Sequence, residues 1–237
     1  MFWEKFMRNL KNILLSLIIA FSTSSFSEVA EVYQWKAFPG KSMEMMESML
    51  KAAEIHEKQG AKVAIDVHNV GSTQLVNYVL RWDDSKSYAA SKDIQASSDE
   101  WVEFWAEANQ NPSGEMMASF SANNLDQSRK ASDFDGSYVY SVNVWKVETG
   151  KDMELIQRFM SSKPILEKAG ARVEIYQANW GAPGEYHYVL MFDSWSALEE
   201  SFSKLGPGSE WAAYMQSRAD DEIIAEQTAW FTGQTAN

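Results

Sequence analysis

The stretch Ile55–Ile65, IHEKQGAKVAI, returns later in the same chain as Ile165–Ile175, ILEKAGARVEI. The two stretches are 165 − 55 = 110 residues apart, and the same offset relates residues outside them without a gap. The further pairs include Trp35 with Trp145, Lys36 with Lys146, Gly71 with Gly181, Tyr78 with Tyr188, and Trp101 with Trp211. A constant offset over so many residue types indicates a duplicated domain, longer than the unit of a solenoid. We therefore expect two small domains of one fold.

Each copy has the pattern of a βαββαβ unit. In the first copy, β-branched and aromatic residues predict strands over 29–38, 62–69, 75–82 and 116–122, and helical spacing predicts helices over 42–59 and after residues 83 and 98. In the second copy the strands are predicted near 138–147, 172–179, 185–192 and 223–231, and the helices near 151–169, 194–203 and 209–219. The order of elements in both copies is that of a ferredoxin-like unit.

The chain divides into four segments. Residues 1–27 have a basic start, an apolar run over 13–21 that is too short to span a bilayer, and a small-x-small site before Glu28, which together predict a bacterial signal peptide. Residues 28–122 form the first repeat, the polar stretch 123–137 is expected to be a linker, and 138–237 form the second repeat. We expect a periplasmic or secreted protein with no membrane attachment after signal cleavage.

Composition narrows the classes of partner. The chain has no cysteine, so its stability in an oxidising compartment rests on its packed cores without disulfides. Its formal net charge is −12, and removal of residues 1–27 takes away three basic residues and Glu4, which leaves 18 basic and 32 acidic residues, or −14. Such an acidic balance opposes binding to nucleic acid or to anionic membranes.

The pattern resembles the dimeric α+β barrel superfamily. In both copies an aromatic residue ends the third strand, at Trp82 and Phe192, and is followed by Asp, a short helix and an aromatic helix. That superfamily includes antibiotic-biosynthesis-type monooxygenases, haem-degrading monooxygenases, chlorite dismutases, muconolactone isomerases, stress-responsive barrel proteins and the NIPSNAP group. The resemblance implies an α+β fold in which two tandem ferredoxin-like units pair their sheets as a single-chain barrel pseudo-dimer. Such pairing would also cover the second sheet face, which carries Val79, Val189 and Met191.

The haem chemistry of that superfamily is not predicted here. A haem-degrading member would carry Asn on the first strand, Trp after the third strand and His on the aromatic helix that follows. Asn143 matches the first requirement, but Tyr33 replaces it in the first copy, and Trp105 and Met215 stand about where the histidine is required. His56 is expected to be a partly buried residue at the edge of the long helix. The sequence has no metal-ligand spacing such as HxxxH, so we expect neither a metal nor a cofactor.

A polar group is expected on the inner side of the sheets. If Val70 lies opposite Leu75, strand alternation places polar side chains of both copies on the face away from the helices. This face carries Asp66, His68, Asn77, Arg81, Glu174, Tyr176 and His187. We expect His187 to meet Glu174 or Tyr176, and a carboxylate neighbour to favour its charged form. The alternatives are a hydrogen-bonded polar filling between the sheets and a solvent-facing strand side.

An apolar pocket between sheet and helices is the second candidate site. Repeated tryptophans are typical of core packing, but they also suit a pocket for aromatic molecules, with the methionines of the first long helix, Met43, Met45, Met46 and Met49, as an adaptable wall. From both faces, the candidate ligand-binding residues are Tyr33, Trp35, His68, Arg81, Asn143, Trp145, Tyr176 and His187.

Three functions remain open from the sequence. The leading prediction is an exported protein that binds a small apolar or aromatic molecule without chemistry. The second is a cofactor-independent monooxygenase or isomerase of the barrel superfamily, which can work with few polar side chains. The third is a protein-interaction module that uses the acidic surface. Whether the protein is an enzyme, and whether it forms a further homo-oligomer, both stay open at this point.

Overall fold

The computed structural model describes residues 27–72 and 74–236, so all but the last residue of the predicted signal peptide lies outside the described part of the chain. The first repeat contains β1 Val29–Ala37, α1 Ser42–Lys58, β2 Lys62–Val70, β3 Leu75–Trp82, α2 Ser85–Ala96, α3 Asp99–Ala108 and β4 Gly114–Asn124. The second contains β5 Val139–Val147, α4 Asp152–Ala169, β6 Arg172–Ala178, β7 Glu185–Phe192, α5 Trp195–Ser203, α6 Glu210–Ser217 and β8 Ala225–Thr235.

The eight strands form one closed antiparallel barrel in the order β1-β3-β2-β8-β5-β7-β6-β4. Each repeat contributes a four-stranded sheet, and the edge strand β2 of the first sheet pairs with β8 while β6 of the second pairs with β4. No sheet edge is left open, because closure pairs every strand on both sides. The predicted fold, two ferredoxin-like units paired as a single-chain barrel, is confirmed.

The helices lie on the outside and each repeat has its own core between helices and sheet. In the first repeat Met45, Met49, Ile65, Tyr78 and Leu80 are among the buried residues of this core. A further cluster between the two sheets contains residues of both repeats, including Tyr140, Val142, Tyr176 and Met191. The barrel interior is therefore a joint core, which ties the two repeats into one structure.

The predicted β2–β3 register is wrong by two residues. Asp66 lies opposite Asn77 and Val67 opposite Val76, whereas the tight hairpin assumed from the sequence placed His68 opposite Asn77. The end of β2 pairs with the other repeat instead, with Val70 opposite Thr232 of β8. Since a shift of two residues keeps each side chain on its face, the predicted inward direction of the polar residues survives the error.

The segment between the repeats is packed against the barrel. Part of it is a short 3₁₀ helix, Ala131–Phe134, and the buried Phe134 ring lies 4.1 Å from the Arg81 guanidinium and 4.4 Å from that of Arg172.

Over the described ranges, no helix is long and apolar enough to cross a membrane.

Candidate functional site

A large cavity lies between the helices and the sheet of the first repeat. Its volume is about 670 Å³, and α1, α3, β1 and the start of β4 contribute to its walls. Aromatic and methionine side chains cover much of the wall; they are Trp35, Met45, Met49, Trp101, Phe104, Trp105 and Met116. Charged residues of α1, α3 and β4, among them Glu44, Lys51, Glu107 and Glu115, also line it. A cavity of this size and polarity is typical of small-molecule sites.

The aromatic wall is held by ring contacts within α3. The Trp101 and Phe104 rings are stacked with centroids 5.2 Å apart, and Trp105 meets both rings edge to face. Ser98 begins this helix and accepts a hydrogen bond from the Trp101 backbone N–H, which fixes the first turn. Flat, rigid rings of this kind suit a planar aromatic ligand.

One part of this cavity is polar and connected. His56 of α1 has its Nδ1 atom 2.8 Å from the Tyr78 hydroxyl oxygen of β3 and its Nε2 atom 2.7 Å from the Gln95 side-chain nitrogen of α2. The Trp101 ring packs on the imidazole at 4.4 Å. His56, Tyr78 and Gln95 line the cavity, as does Tyr33 of the neighbouring strand.

A buried ion pair extends this network. The Tyr33 hydroxyl donates to a Glu31 carboxylate oxygen at 2.8 Å, the Tyr88 hydroxyl donates to the other oxygen at 2.9 Å, and the Lys92 ammonium lies 2.6 Å from Glu31. The Lys92 nitrogen is also 3.5 Å from the Gln95 amide oxygen. Glu31 therefore has three donors, as a buried carboxylate requires.

The contacts assign the direction of each hydrogen bond around His56. Because the Gln95 oxygen faces the Lys92 ammonium, its NH₂ group faces His56 and donates to Nε2. Neutral His56 then carries its proton on Nδ1 and donates it to the Tyr78 oxygen. The Tyr78 O–H remains free to donate to a molecule in the cavity. Burial, and next the Lys92 charge, lower the His56 pKa to about 4, which keeps the ring neutral at physiological pH.

The second repeat has no counterpart of this network. At the 110-residue offset, Glu31 becomes Ser141, Tyr33 becomes Asn143, His56 becomes Leu166, Tyr88 becomes Leu198, Lys92 becomes Phe202 and Gln95 becomes Leu205. The corresponding space is part of a packed core, in which the Phe159 ring lies 4.9 Å from that of Tyr188. The predicted site residues did not include His56, Tyr78 or Gln95. A signal for this network does exist in the sequence: several polar residues of the first copy are replaced by apolar residues in the second.

The second cavity lies inside the barrel and measures about 370 Å³. Its wall carries inward-facing residues of both repeats, with Asp66, Asn77 and Arg81 from the first and Tyr140 and His187 from the second. It is separated from the first-repeat cavity by the β1–β3 sheet, since alternate residues of these strands line one cavity or the other.

The predicted site residues do not form one site. Tyr33 and Trp35 line the first-repeat cavity, and Arg81, Tyr176 and His187 line the barrel interior. His68 is buried and stacks on Phe231 with ring centroids 4.3 Å apart. Asn143 accepts a hydrogen bond from the Gln227 side chain, and Trp145 packs against the core of the second repeat. The sequence therefore merged residues of two cavities with three residues that line neither of them, His68, Asn143 and Trp145.

The prediction that a carboxylate neighbour keeps His187 charged is wrong. Its partner across the strand pair is Tyr176, as predicted, but its ring stacks on Phe120 at 4.7 Å and the nearest carboxylate oxygen, on Glu185, is 3.9 Å from Nε2. Burial lowers its pKa to about 4. Desolvation therefore outweighs the distant carboxylate, and the ring is neutral.

The first-repeat cavity does not offer a free histidine as an iron ligand. Of the three histidines, only His56 lines it, and both of its ring nitrogens are engaged by Tyr78 and Gln95. A haem iron bound there would have to displace one of these partners. Within residues 27–72 and 74–236 no group of three or more His, Cys, Asp or Glu side chains could hold a metal ion.

Solved structures share this architecture, although no family model and no curated protein matches the sequence. A candidate monooxygenase from Fusobacterium nucleatum aligns over 89% of this chain and 93% of its own, with a TM-score of 0.59 and 11% identity. An anthrone oxidase-like protein aligns over 90% and 92%, with a TM-score of 0.56 and 13% identity. A candidate monooxygenase from Lactobacillus acidophilus aligns over 89% and 93%, with a TM-score of 0.52 and 8% identity. The chain has the fold of the dimeric α+β barrel superfamily, as the sequence pattern predicted.

Proposed function

We propose that this protein is a cofactor-independent oxygenase. Its substrate is a planar aromatic molecule with an oxygen substituent on the ring, and it binds in the first-repeat cavity. The observation that carries the proposal is the Tyr78 hydroxyl, which lines an aromatic-walled cavity with its proton free and with neutral His56 donating to its oxygen. The descriptions of the similar structures, candidate monooxygenase and anthrone oxidase-like protein, agree with this reaction class.

Each polar residue has a role in this proposal. The Tyr78 O–H donates to the substrate oxygen and stabilises the negative charge that this oxygen gains when a neighbouring C–H loses its proton. The His56 Nδ1–H bond to Tyr78 makes that hydroxyl a stronger donor, because linked hydrogen bonds polarise one another. Tyr33, which already donates to Glu31, accepts the proton that the C–H group loses while passing its own proton to the carboxylate.

The overall reaction needs only dioxygen as the oxidant. Both C–H bonds of an activated methylene are replaced by a C=O bond, one oxygen atom of O₂ enters the product, and the other leaves as water with the two hydrogens. The substrate supplies all the electrons, so no external reductant is required. Tyr78 is buried at the cavity wall, where a fixed hydroxyl dipole stabilises charge more than it would in water.

The test compares two tyrosines at equivalent positions of the duplication. Tyr78→Phe removes the free hydroxyl, whereas Tyr188→Phe removes a hydroxyl bonded to Ser162 in the packed core of the second repeat. Oxygen uptake with an anthrone as substrate is measured for both variants, and binding of the corresponding quinone is followed by tryptophan fluorescence. We expect Tyr78→Phe to lower kcat/KM roughly a hundredfold, as loss of an oxyanion donor does, and Tyr188→Phe to leave it unchanged relative to the folded fraction.

Two results would contradict the proposal. If anthrones and hydroxylated aromatics quench the tryptophan fluorescence but no oxygen is consumed, the protein is a binding protein of the kind that the sequence first favoured. If neither binding nor oxygen uptake is seen, the cavity is not a site for this class of molecule.

We also propose that the protein is exported, on the basis of the signal pattern in residues 1–27.

A further inference from the structure

The barrel interior has a polar inner part and an apolar wall. Asp66 and Asn77 face each other across β2 and β3, and both are more than nine-tenths buried, as is Tyr140. The apolar wall comes from inward-facing side chains of both repeats, among them Val32, Val79, Val142, Val189 and Met191. Exposed residues at Ser119, Gly181 and Thr228 also line the cavity, so it is reached from solvent.

Three hydrogen-bonding atoms of this inner part have no partner within the described chain. They are Oδ1 of Asp66, Oδ1 of Asn77 and the hydroxyl oxygen of Tyr140. Asp66 receives one hydrogen bond, from the Tyr138 hydroxyl to Oδ2 at 3.3 Å. Two nitrogens of residues that line the same cavity, Arg81 Nε and His187 Nε2, are also without a partner among the described residues. Buried polar atoms are nearly always paired in folded proteins, so these atoms point to a ligand, and the three free oxygens favour one that brings donors.

Asp66 forms no ion pair within residues 27–72 and 74–236, and the Arg81 charge offsets only part of the effect of burial, which raises the Asp66 pKa. The Arg81 guanidinium is 2.5 Å from Glu28 and 2.7 Å from the Tyr176 hydroxyl, so its charge is already matched. The buried Glu174 is paired with Arg129 and Arg172. A second carboxylate, Glu185, lines the same cavity, so the cavity favours a positive charge.

We propose that the barrel interior is a second ligand site, distinct from the first-repeat cavity, that takes a small organic ammonium compound with an apolar body. The ammonium group brings three N–H donors, which match the free oxygens of Asp66, Asn77 and Tyr140. Its charge compensates Asp66, and its apolar body packs against Val79 and Val189. The volume of about 370 Å³ fits a molecule with one aromatic ring and a short amine chain.

The test measures the binding of three small molecules to the full folded chain. The three have similar shapes but different charges. Phenethylamine is the cation, phenethyl alcohol the neutral analogue and phenylacetate the anion, and binding is measured by calorimetric titration at neutral pH. We expect saturable binding of phenethylamine, weaker binding of the alcohol and none of the anion. Asp66→Asn keeps the side-chain shape and removes the charge, so it should weaken amine binding roughly tenfold or more while leaving alcohol binding unchanged.

Two further variants locate the site. Val189→Trp fills the barrel interior and should abolish amine binding, whereas Met49→Trp narrows the first-repeat cavity and should not affect it. The proposal is overturned if phenethylamine shows no saturable binding, which would mean that water alone serves these oxygens. It is also overturned if Asp66→Asn leaves amine affinity unchanged, or if Met49→Trp rather than Val189→Trp removes binding. None of these results bears on oxygen uptake through Tyr78.

Discussion

Replacing His56 by leucine, the residue of the second repeat, should change the pH dependence of stability in a calculable way. The folded protein holds the His56 pKa at about 4, against an ordinary value of 6.5, mainly because the ring is buried. The unfolded chain therefore binds a proton more readily between these pH values, and stability falls as the pH drops from 6.5 towards 4. A difference of 6.5 − 4, or about 2.5 pH units, corresponds to roughly 3 kcal/mol.

At neutral pH the same substitution should lower the free energy of unfolding. A leucine side chain at this position would leave the Tyr78 hydroxyl and the Gln95 amide without their partner, which costs roughly 1–3 kcal/mol. We therefore expect His56→Leu to be less stable than the parent above pH 6.5 and to become equal or more stable as the pH approaches 4. The other two histidines titrate equally in both proteins, so the difference isolates His56.

Urea unfolding followed by tryptophan fluorescence and circular dichroism at several pH values measures this difference. The variant's free energy of unfolding should change less with pH than that of the parent, by about 3 kcal/mol across the range. If the difference between the two proteins is the same at neutral and acid pH, His56 is not buried in the neutral form, and the hydrogen-bond directions assigned around it are wrong.

Three other substitutions or measurements follow from the structure. Burial raises the Asp66 pKa from 3.8 to about 6, so the folded state holds its proton more tightly and stability falls as the pH rises from 4 to 6; Asp66→Asn should stabilise the protein at neutral pH by up to about 3 kcal/mol and lose that gain at acid pH in thermal melts. Gly181→Ala should destabilise far more than Gly136→Ala in urea unfolding, because both glycines have positive φ but a Cβ at 181 overlaps the Ser119 carbonyl oxygen, while the space at 136 is open. Mass spectrometry of the protein exported by a bacterial host should find Glu28 as the first residue, and a chain that retains residues 1–27 would refute the predicted signal cleavage.

The duplication made the architecture predictable from sequence. Two ferredoxin-like units each leave one sheet face uncovered, and closing them against each other is the simplest way to bury Val79, Val189 and Met191. The hairpin register was not predictable, because the β2–β3 loop opens so that Val70 pairs with Thr232 of the other repeat. A long-range pairing of this kind has no signal in the local sequence.

The site was predicted only in part, for a physical reason. Pattern arguments identify which face of a strand a side chain occupies, but not which cavity that face lines. Tyr33 and Trp35 line the first-repeat cavity, whereas Arg81 and His187 line the barrel interior. The function of His56 depends on its contacts with α2 and β3, which no periodicity reveals.

A crystal structure of the protein with a bound anthraquinone tests the central claim most directly. The quinone ring should lie in the first-repeat cavity against the α3 aromatics, with a carbonyl oxygen about 2.7–3.0 Å from the Tyr78 hydroxyl. The equivalent space of the second repeat should hold no ligand, since Phe159 and its neighbours fill it. A quinone bound only in the barrel interior or on the surface, with the first-repeat cavity vacant at saturating ligand, would contradict the assignment of this cavity as the functional site.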